Sequence, residues 1–136
     1  MSKNQNTDEV RQTVERLIEN GSQFNVEELD RIYHDDLTIV KINEMGAVTA
    51  IDKAENMALF REKRDSGAEP LSTEAEFNYV SGGLGTGHVI VTRKMQLQGR
   101  LEKSVFSIHL IQEDGRWQVI QETAFVQPIT ADETSE

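Results

Sequence analysis

The chain has 136 residues, of which 24 are acidic and 14 are basic, and its formal net charge at pH 7 is −10. This length suits one domain with a real core, and an acidic surface repels phosphate backbones, so we expect no nucleic-acid partner. The absence of cysteine excludes a disulfide framework and a thiolate nucleophile. No apolar run approaches the ~18 residues of a membrane span, and no signal region opens the chain, so we expect a cytoplasmic protein without a membrane partner.

Three predicted helix starts share one pattern, an acceptor residue followed three positions later by glutamate: Asn6 with Glu9, Asn25 with Glu28, and Asp52 with Glu55. This spacing is typical of a capping box. It predicts helices over about 7–20, 26–34 and 53–65. Apolar residues at helical spacing predict their buried sides: Val10, Val14, Leu17 and Ile18; Val26, Leu29, Ile32 and Tyr33; Met57, Ala58 and Phe60.

The remaining segments have the alternation and the turn signals of strands. The predicted strands span about 37–42, 46–50, 71–80, 87–98, 101–112 and 116–126. Turns at 98–100 and at Asp114-Gly115 join the last three strands, and the second is typical of a type I′ hairpin. Helices at the N-terminal end of an antiparallel sheet indicate an α+β fold. We expect one domain over 7–127, a flexible segment over 1–6 and a disordered acidic tail over 128–136.

The turn at Asp114-Gly115 predicts the register of the last two strands. A two-residue loop places Ser107 opposite Glu122 and His109 opposite Ile120, on one mixed and polar face. The opposite face is apolar and carries Val89, Val91, Met95, Leu97, Phe106, Ile108, Leu110, Trp117 and Val119.

Two interpretations of these faces remain open. In the first, the apolar face packs on the helices and the polar face lies in water. In the second, the polar face lines a cavity at the open end of the helices, and the apolar face forms a dimer interface through Val91, Phe106, Ile108 and Leu110.

The order of elements, with NVEELDRIYHDDLTIV over 25–40 and EDGRWQVIQETAF over 113–125, resembles the nuclear transport factor 2-like superfamily, which includes ketosteroid isomerases and SnoaL-like polyketide cyclases. The resemblance covers about residues 8–126. The Gly46 region and the closing GRWQVIQETAF are most similar to the bacterial branch named for lumazine binding. The resemblance implies a cystatin-like cone, with three N-terminal helices on a curved, mixed and mostly antiparallel sheet. It also implies a pocket on the concave face and a homodimer interface on the convex face.

When the ketosteroid isomerase pattern is laid over this chain by resemblance, the positions of its functional residues are occupied by residues of other types. Lys41 stands at the catalytic aspartate, Leu17 at the tyrosine and Ser107 at the second acid of the oxyanion hole. Lysine is not a carboxylate base and leucine has no proton to donate, so we expect no steroid isomerase activity. The same comparison places Ser107 and Glu122 on the pocket face.

Six residues are candidates for the pocket. His109 and Glu122 are a candidate acid-base pair, and the candidate ligand contacts are Tyr33, Lys41, Phe60 and Ser107. Each has a structural alternative: Lys41 suits an edge strand, the two aromatic residues suit the core, and the others suit a wet sheet face.

Two further motifs are better explained without a ligand. His34-Asp35-Asp36 lacks the histidine spacings of metal sites, so we predict no metal. The glycine-rich segment 81–87 precedes a strand and opens no helix, so we predict a flexible hairpin turn and not a phosphate loop.

Three functions therefore remain open. The first is a homodimeric small-molecule-binding protein without a cofactor. The second is a cyclase, dehydratase or isomerase that uses His109 or Glu122 as base and Lys41 to stabilise negative charge. The third is a protein interaction module whose cavity is filled by side chains such as Leu17, Met57 and Ile90.

Overall fold

The computed structural model describes residues 3–97 and 100–129, with side chains described over 5–95 and 101–129. These ranges contain three helices: α1 (Lys3–Ser22), α2 (Val26–Ile32) and α3 (Lys53–Asp65). The predicted bounds of α3 are confirmed. Helix α1 begins earlier than predicted, so residues 3–6 are helical where a flexible segment was expected. Residues 1–2 and 130–136, which include most of the predicted tail, lie outside the described residues.

The capping box of α3 forms as predicted. The side chain of Asp52 accepts a hydrogen bond from the Glu55 amide at 2.9 Å, and the Glu55 carboxylate accepts one from the Asp52 amide at 3.2 Å. Asn25 caps α2 without a side-chain hydrogen bond. Asn6 lies inside α1, where its Nδ2 donates to the carbonyl oxygen of Gly83 at 3.0 Å. The predicted cap at Asn6 was wrong because a long-range contact takes up that side chain.

The described residues include six strands in one sheet: β1 (Tyr33–Ile42), β2 (Val48–Asp52), β3 (Glu76–Gly82), β4 (Thr86–Leu97), β5 (Arg100–Glu113) and β6 (Arg116–Pro128). Their order is β2-β1-β6-β5-β4-β3, and β1 and β6 run parallel while the other neighbours run antiparallel. The predicted α+β class and the mixed, mostly antiparallel sheet are confirmed. Strand β6 reaches Pro128, where the tail was expected to start. The predicted turn at 98–100 lies partly outside the described residues.

The three helices cover one face of the sheet, which we call the concave face, and the core lies between them. Buried residues of this core come from α1 and α2 (Val10, Val14, Leu17, Ile18, Val26, Leu29, Ile32), from α3 (Met57) and from the sheet (Tyr33, Leu37, Val89, Val91, Ile108, Leu110, Trp117, Val119). The apolar sheet face thus packs on the helices, as the first interpretation states. Ala58, predicted to be buried, is exposed.

The four residues assigned to a dimer interface belong to this core. Val91, Ile108 and Leu110 are buried, and Phe106 is half-buried against the same cluster. The assignment of these side chains to an intersubunit surface was wrong, because the helices of the same chain cover them.

The glycine-rich segment forms the turn between β3 and β4 and packs against α1. A Cβ atom on Gly82 would lie 2.6 Å from the carbonyl carbon of Asn6, and one on Gly87 would lie 2.6 Å from Cγ2 of Val10. Glycine at these positions therefore allows the helix to approach the edge of the sheet closely. No helix in the described ranges is long and apolar enough to cross a membrane.

Candidate functional site

A β-bulge in β6 decides which way Glu122 points. Val119 pairs with Leu110, but the next pairing joins Gln121 to His109, so Ile120 is an extra residue without a partner on β5. An extra residue reverses the side-chain alternation beyond it. Glu122 consequently lies opposite Ile108, on the concave face. The predicted pairing of Ser107 with Glu122 was wrong. That prediction continued the register of the two-residue turn along both strands and did not include the extra residue Ile120.

Glu122 lines a cavity of about 310 Å³ between the helices and the concave face. Most of the lining is apolar, from α1, α3 and the sheet: Leu17, Ile18, Gly21, Phe24, Leu59, Phe60, Leu71, Val91, Met95, Phe106 and Ile108. The polar and charged lining residues are Tyr33, Lys41, Asn56, Lys63, Arg93 and Glu122. This combination of an apolar wall and a few polar groups is typical of a small-molecule pocket.

Glu122 and Tyr33 form a buried pair in this pocket. The Tyr33 hydroxyl donates to Oε1 of Glu122 at 3.3 Å, and the two residues are 3% and 8% exposed, respectively. Burial raises the pKa of Glu122 to about 7, against the opposing effects of the Tyr33 hydrogen bond and the Arg93 charge. Burial and the nearby Glu122 charge also raise the pKa of Tyr33 well above its ordinary value. Tyr33 therefore stays a hydrogen-bond donor while Glu122 changes charge near neutral pH.

The charge of Arg93 acts on both members of this pair. Burial lowers its pKa and the charge of Glu122 raises it. Its Nη2 donates to Oγ of Ser22 at 3.0 Å and to the carbonyl oxygen of Ser72. These bonds fix the guanidinium between the end of α1 and the segment before β3.

The backbone of Tyr33 is held from two sides. Nζ of Lys53, the first residue of α3, donates to the carbonyl oxygens of Tyr33 and Asp30, each at 2.9 Å. Nε2 of Gln118 donates to the carbonyl oxygen of Arg31 at 2.9 Å and lies 3.5 Å from that of Tyr33. These contacts position the tyrosine at the start of β1, where the chain leaves α2.

The structure brings four of the six predicted pocket residues together. Tyr33, Lys41, Phe60 and Glu122 all line the cavity, and the ring centroids of Tyr33 and Phe60 are 6.4 Å apart.

Ser107 and His109 lie on the opposite, convex face. They pair there with Ile90 and His88 of β4. The predicted His109–Glu122 acid-base pair is therefore wrong, since the two side chains point to opposite sides of the sheet. Ile90, expected as a filler of the cavity, also lies on the convex face and cannot fill it.

Two histidines stack on the convex face. The rings of His88 and His109 are 4.4 Å apart and inclined by 7°, and Nε2 of His88 lies 2.8 Å from Oγ of Ser107. Partial burial, followed by the charge of His109, lowers the pKa of His88.

His34 is engaged in local contacts. Its Nδ1 accepts from the Asp36 amide at 2.9 Å, so its Nε2 carries the proton that bonds Glu113 at 2.8 Å. Within the described ranges, no group of three or more histidine or acidic residues is arranged to hold a metal ion.

Sequence reasoning missed Arg93 and Asn56. Arg93 stands between Val91 and Met95 on the apolar side of β4, and a charged residue at a core-facing strand position is a signal for a functional or paired group. Asn56 stands at a buried position of α3 next to Met57, where an amide requires a partner.

No family model matches the chain, and no curated protein sequence matches it. Solved structures do match. A protein of Silicibacter pomeroyi, described as NTF-2-like and of unknown function, has a TM-score of 0.73 at 14% identity, over 93% of this chain and 99% of its own. An NTF2-like protein of unknown function from Shewanella baltica has a TM-score of 0.74 at 11% identity, over 95% of this chain and 99% of its own. An NTF2-like protein of Cytophaga hutchinsonii has a TM-score of 0.70 at 19% identity, over 95% of this chain and 100% of its own. The chain thus has the cone-shaped fold of NTF2-like proteins.

Proposed function

We propose that this chain is a small-molecule-binding protein of the NTF2-like fold, without a cofactor, whose pocket presents Glu122 as a proton-exchanging group. The observation that carries this proposal is the raised pKa of Glu122, about 7, inside a cavity with mostly apolar walls. A buried carboxyl group in such a place reduces stability, and perturbed carboxyl groups in clefts cluster at functional sites.

The protonation state of Glu122 sets what a ligand must offer. The neutral carboxyl group can donate to a ligand oxygen, while the carboxylate accepts from a ligand hydroxyl or amine. With a pKa near 7, both states are populated at neutral pH. The Tyr33 hydroxyl, already oriented toward Oε1, keeps one lone pair for a ligand donor.

Fluorescence titration with N-phenyl-1-naphthylamine, a neutral apolar dye, tests for the pocket. We expect saturable binding of one dye per chain. Leu59 is 54% exposed and lines the cavity, so Leu59→Trp should obstruct the opening and weaken binding. Leu84 is 95% exposed in the turn before β4 and does not line the cavity, so Leu84→Trp is the matched control. Equal binding by both variants and the parent chain would place the dye elsewhere and contradict the proposal.

A second candidate function is a proton-transfer enzyme, such as an isomerase, cyclase or dehydratase, with Glu122 as general base. The near-neutral pKa of Glu122 favours it, because a general base works best when its pKa lies near the operating pH. His109 has no part in this version, and Lys41 at the cavity would stabilise developing negative charge.

The base elimination of 5-nitrobenzisoxazole tests this candidate without knowledge of the substrate. A carboxylate removes the ring C–H proton, the N–O bond breaks and a coloured phenolate forms. We expect the rate to rise with pH as Glu122 ionises and to disappear in Glu122→Gln. A rate that persists in this variant would exclude Glu122 as the base.

We further propose a cytoplasmic homodimer similar to the lumazine-binding branch. Support for the dimer comes from the convex face, where Tyr79 and Phe125 are 50% and 46% exposed, beside the half-buried Ile90 and Val105. Native mass spectrometry reads the subunit count and any released small molecule together. Phe125→Asp should then produce monomers, and an intact dimer in this variant would exclude the convex face as the interface.

A further inference from the structure

The charge around the pocket is opposite in sign to that of the chain. Among the described residues that line it, Lys41, Lys63 and Arg93 are basic and Glu122 alone is acidic. The whole chain, in contrast, has 24 acidic and 14 basic residues. An acidic protein that gathers cations around one apolar cavity creates a local attraction for an anion.

Two buried donors in this pocket lack acceptors. Nε of Arg93 and Nδ2 of Asn56 have no hydrogen-bond partner among the described residues, and both side chains line the cavity. Asn56 lies close enough to the Tyr33 phenol to lower its pKa, although Nδ2 has no partner in hydrogen-bond geometry. A buried donor without an acceptor is unfavourable, so the pair indicates a ligand with acceptor atoms.

Among the described residues, the two polar atoms without a partner that belong to this cavity's lining are both donors. The other orphan atoms in the described ranges are Oδ1 of Asn6, Oε2 of Glu9 and Nε1 of Trp117, and none of these residues lines the pocket. Nη2 of Arg93 is already bonded to Ser22 and Ser72, while its Nε has no acceptor among the described residues. A carboxylate is an acceptor whose charge is complementary to that of a guanidinium donor.

Two further cations stand at the opening. Lys41 and Lys63 are exposed and line the cavity. In the part of the chain that the structure describes, neither ammonium group has an ion-pair or hydrogen-bond partner. Unpaired lysines at an opening raise the local concentration of an anion and the rate at which it enters.

The walls between these groups exclude a small inorganic anion as the preferred occupant. Aromatic and aliphatic side chains dominate the lining, among them Phe24, Phe60 and Phe106. A fully hydrated phosphate would leave these walls unfilled, whereas an apolar body would cover them.

Building on the proposed function, we infer that the pocket takes an organic acid: an apolar ring or chain with one carboxylate, which Arg93, Asn56 and the two lysines recognise.

A matched pair of dyes tests this inference. The dye 1-anilinonaphthalene-8-sulfonate differs from N-phenyl-1-naphthylamine by one sulfonate group. We expect the anionic dye to bind at least about tenfold more tightly than the neutral dye, as charge-assisted contacts provide. The double variant Lys41→Gln/Lys63→Gln changes only exposed side chains and should reduce this ratio toward one. Lys94→Gln, an exposed change outside the cavity, is the control and should preserve the ratio.

Arg93→Gln should reduce the ratio further, with circular dichroism checking that the variant is folded. Competition completes the test: octanoate should displace the anionic dye at a concentration at least about tenfold below that of 1-octanol or inorganic phosphate.

The outcomes separate the two proposals. If neither dye binds, the pocket proposal fails and this inference fails with it. If the neutral dye binds as tightly as the anionic dye, or the lysine variant keeps the ratio, the inference is overturned while the pocket stands. If phosphate competes as well as octanoate, the site recognises charge alone and the apolar body is excluded.

Discussion

The hydroxyl of Tyr33 donates a hydrogen bond to Oε1 of Glu122 across 3.3 Å, which joins residues 89 positions apart in the sequence. Both side chains lie inside the cavity between the helices and the sheet. The contact couples the start of β1 to the part of β6 beyond its bulge. A change at either residue is therefore expected to alter the protonation of the other.

Replacing Glu122 with glutamine should change how stability depends on pH. The folded-state pKa, about 7, lies above the ordinary value of 4.5, so the folded state binds more protons between these values. The stabilisation that the folded state gains by binding a proton at Glu122 is fully present below about pH 4.5, and it is lost as the pH rises through 7. At pH 8 the parent chain carries the whole cost of the buried charge, about 3 kcal/mol. Urea unfolding at several pH values should show Glu122→Gln gaining stability over the parent as pH rises.

The matched control for this experiment is Glu69→Gln, a change at an exposed position outside the cavity. Its free energy of unfolding should follow that of the parent chain at each pH. A Glu122→Gln curve parallel to the parent curve between pH 5 and 8 would contradict the raised pKa of Glu122.

Removing the Tyr33 hydroxyl should raise the pKa of Glu122 above its value of about 7. The hydrogen bond from Tyr33 favours the ionised carboxylate and lowers this pKa, so Tyr33→Phe removes that effect while keeping the ring next to Phe60. Carbon-detected NMR of the side-chain carboxyl group measures the shift directly. Tyr79→Phe, on the convex face, should leave the titration unchanged. A lower pKa in Tyr33→Phe would show that the contact does not stabilise the carboxylate.

Adding one methyl group at Gly82 should destabilise the fold. The new Cβ atom would lie 2.6 Å from the backbone of Asn6, a distance at which α1 must move. We expect a loss of about 1–3 kcal/mol in the free energy of unfolding, as for other overpacked sites. A Cβ atom on Gly83 would lie 3.9 Å from the carbonyl oxygen of Thr86, an ordinary contact distance, so Gly83→Ala should cost much less. Equal unfolding midpoints for the two variants would exclude a close approach of α1 to Gly82.

Replacing His109 with glutamine should raise the pKa of His88 toward its ordinary value. Burial is the larger cause of its lowered pKa and persists in this variant, while the charge of His109 is removed. Proton NMR of the imidazole resonances measures the His88 titration in the parent chain and in the variant. His34→Gln, at a site whose ring bonds Glu113 instead, should not move the His88 midpoint. A downward shift of His88 in His109→Gln would contradict repulsion within the stacked pair.

Local sequence patterns determined several parts of this protein. The start of α3 follows from Asp52 and Glu55, because a capping box involves residues three positions apart and needs no distant partner. The turn at Asp114-Gly115 likewise follows from two adjacent residues with positive φ, at 53° and 75°. Alternation along β4 and β5 separated the apolar face from the polar one, since each side chain's face depends on position parity within a regular strand.

Only the tertiary structure decided which face carries the site. The extra residue Ile120 reverses the parity of β6, and no local signal marks it, because a bulge is fixed by the pairing of β6 with its two neighbours. The reversal moves Glu122 away from Ser107 and His109 and places it beside Tyr33. Arg93 acquires its role in the same way, through Ser22 and Ser72, which lie 71 and 21 positions away in the sequence. The pocket is therefore formed by long-range contacts, whereas the elements that build it are encoded locally.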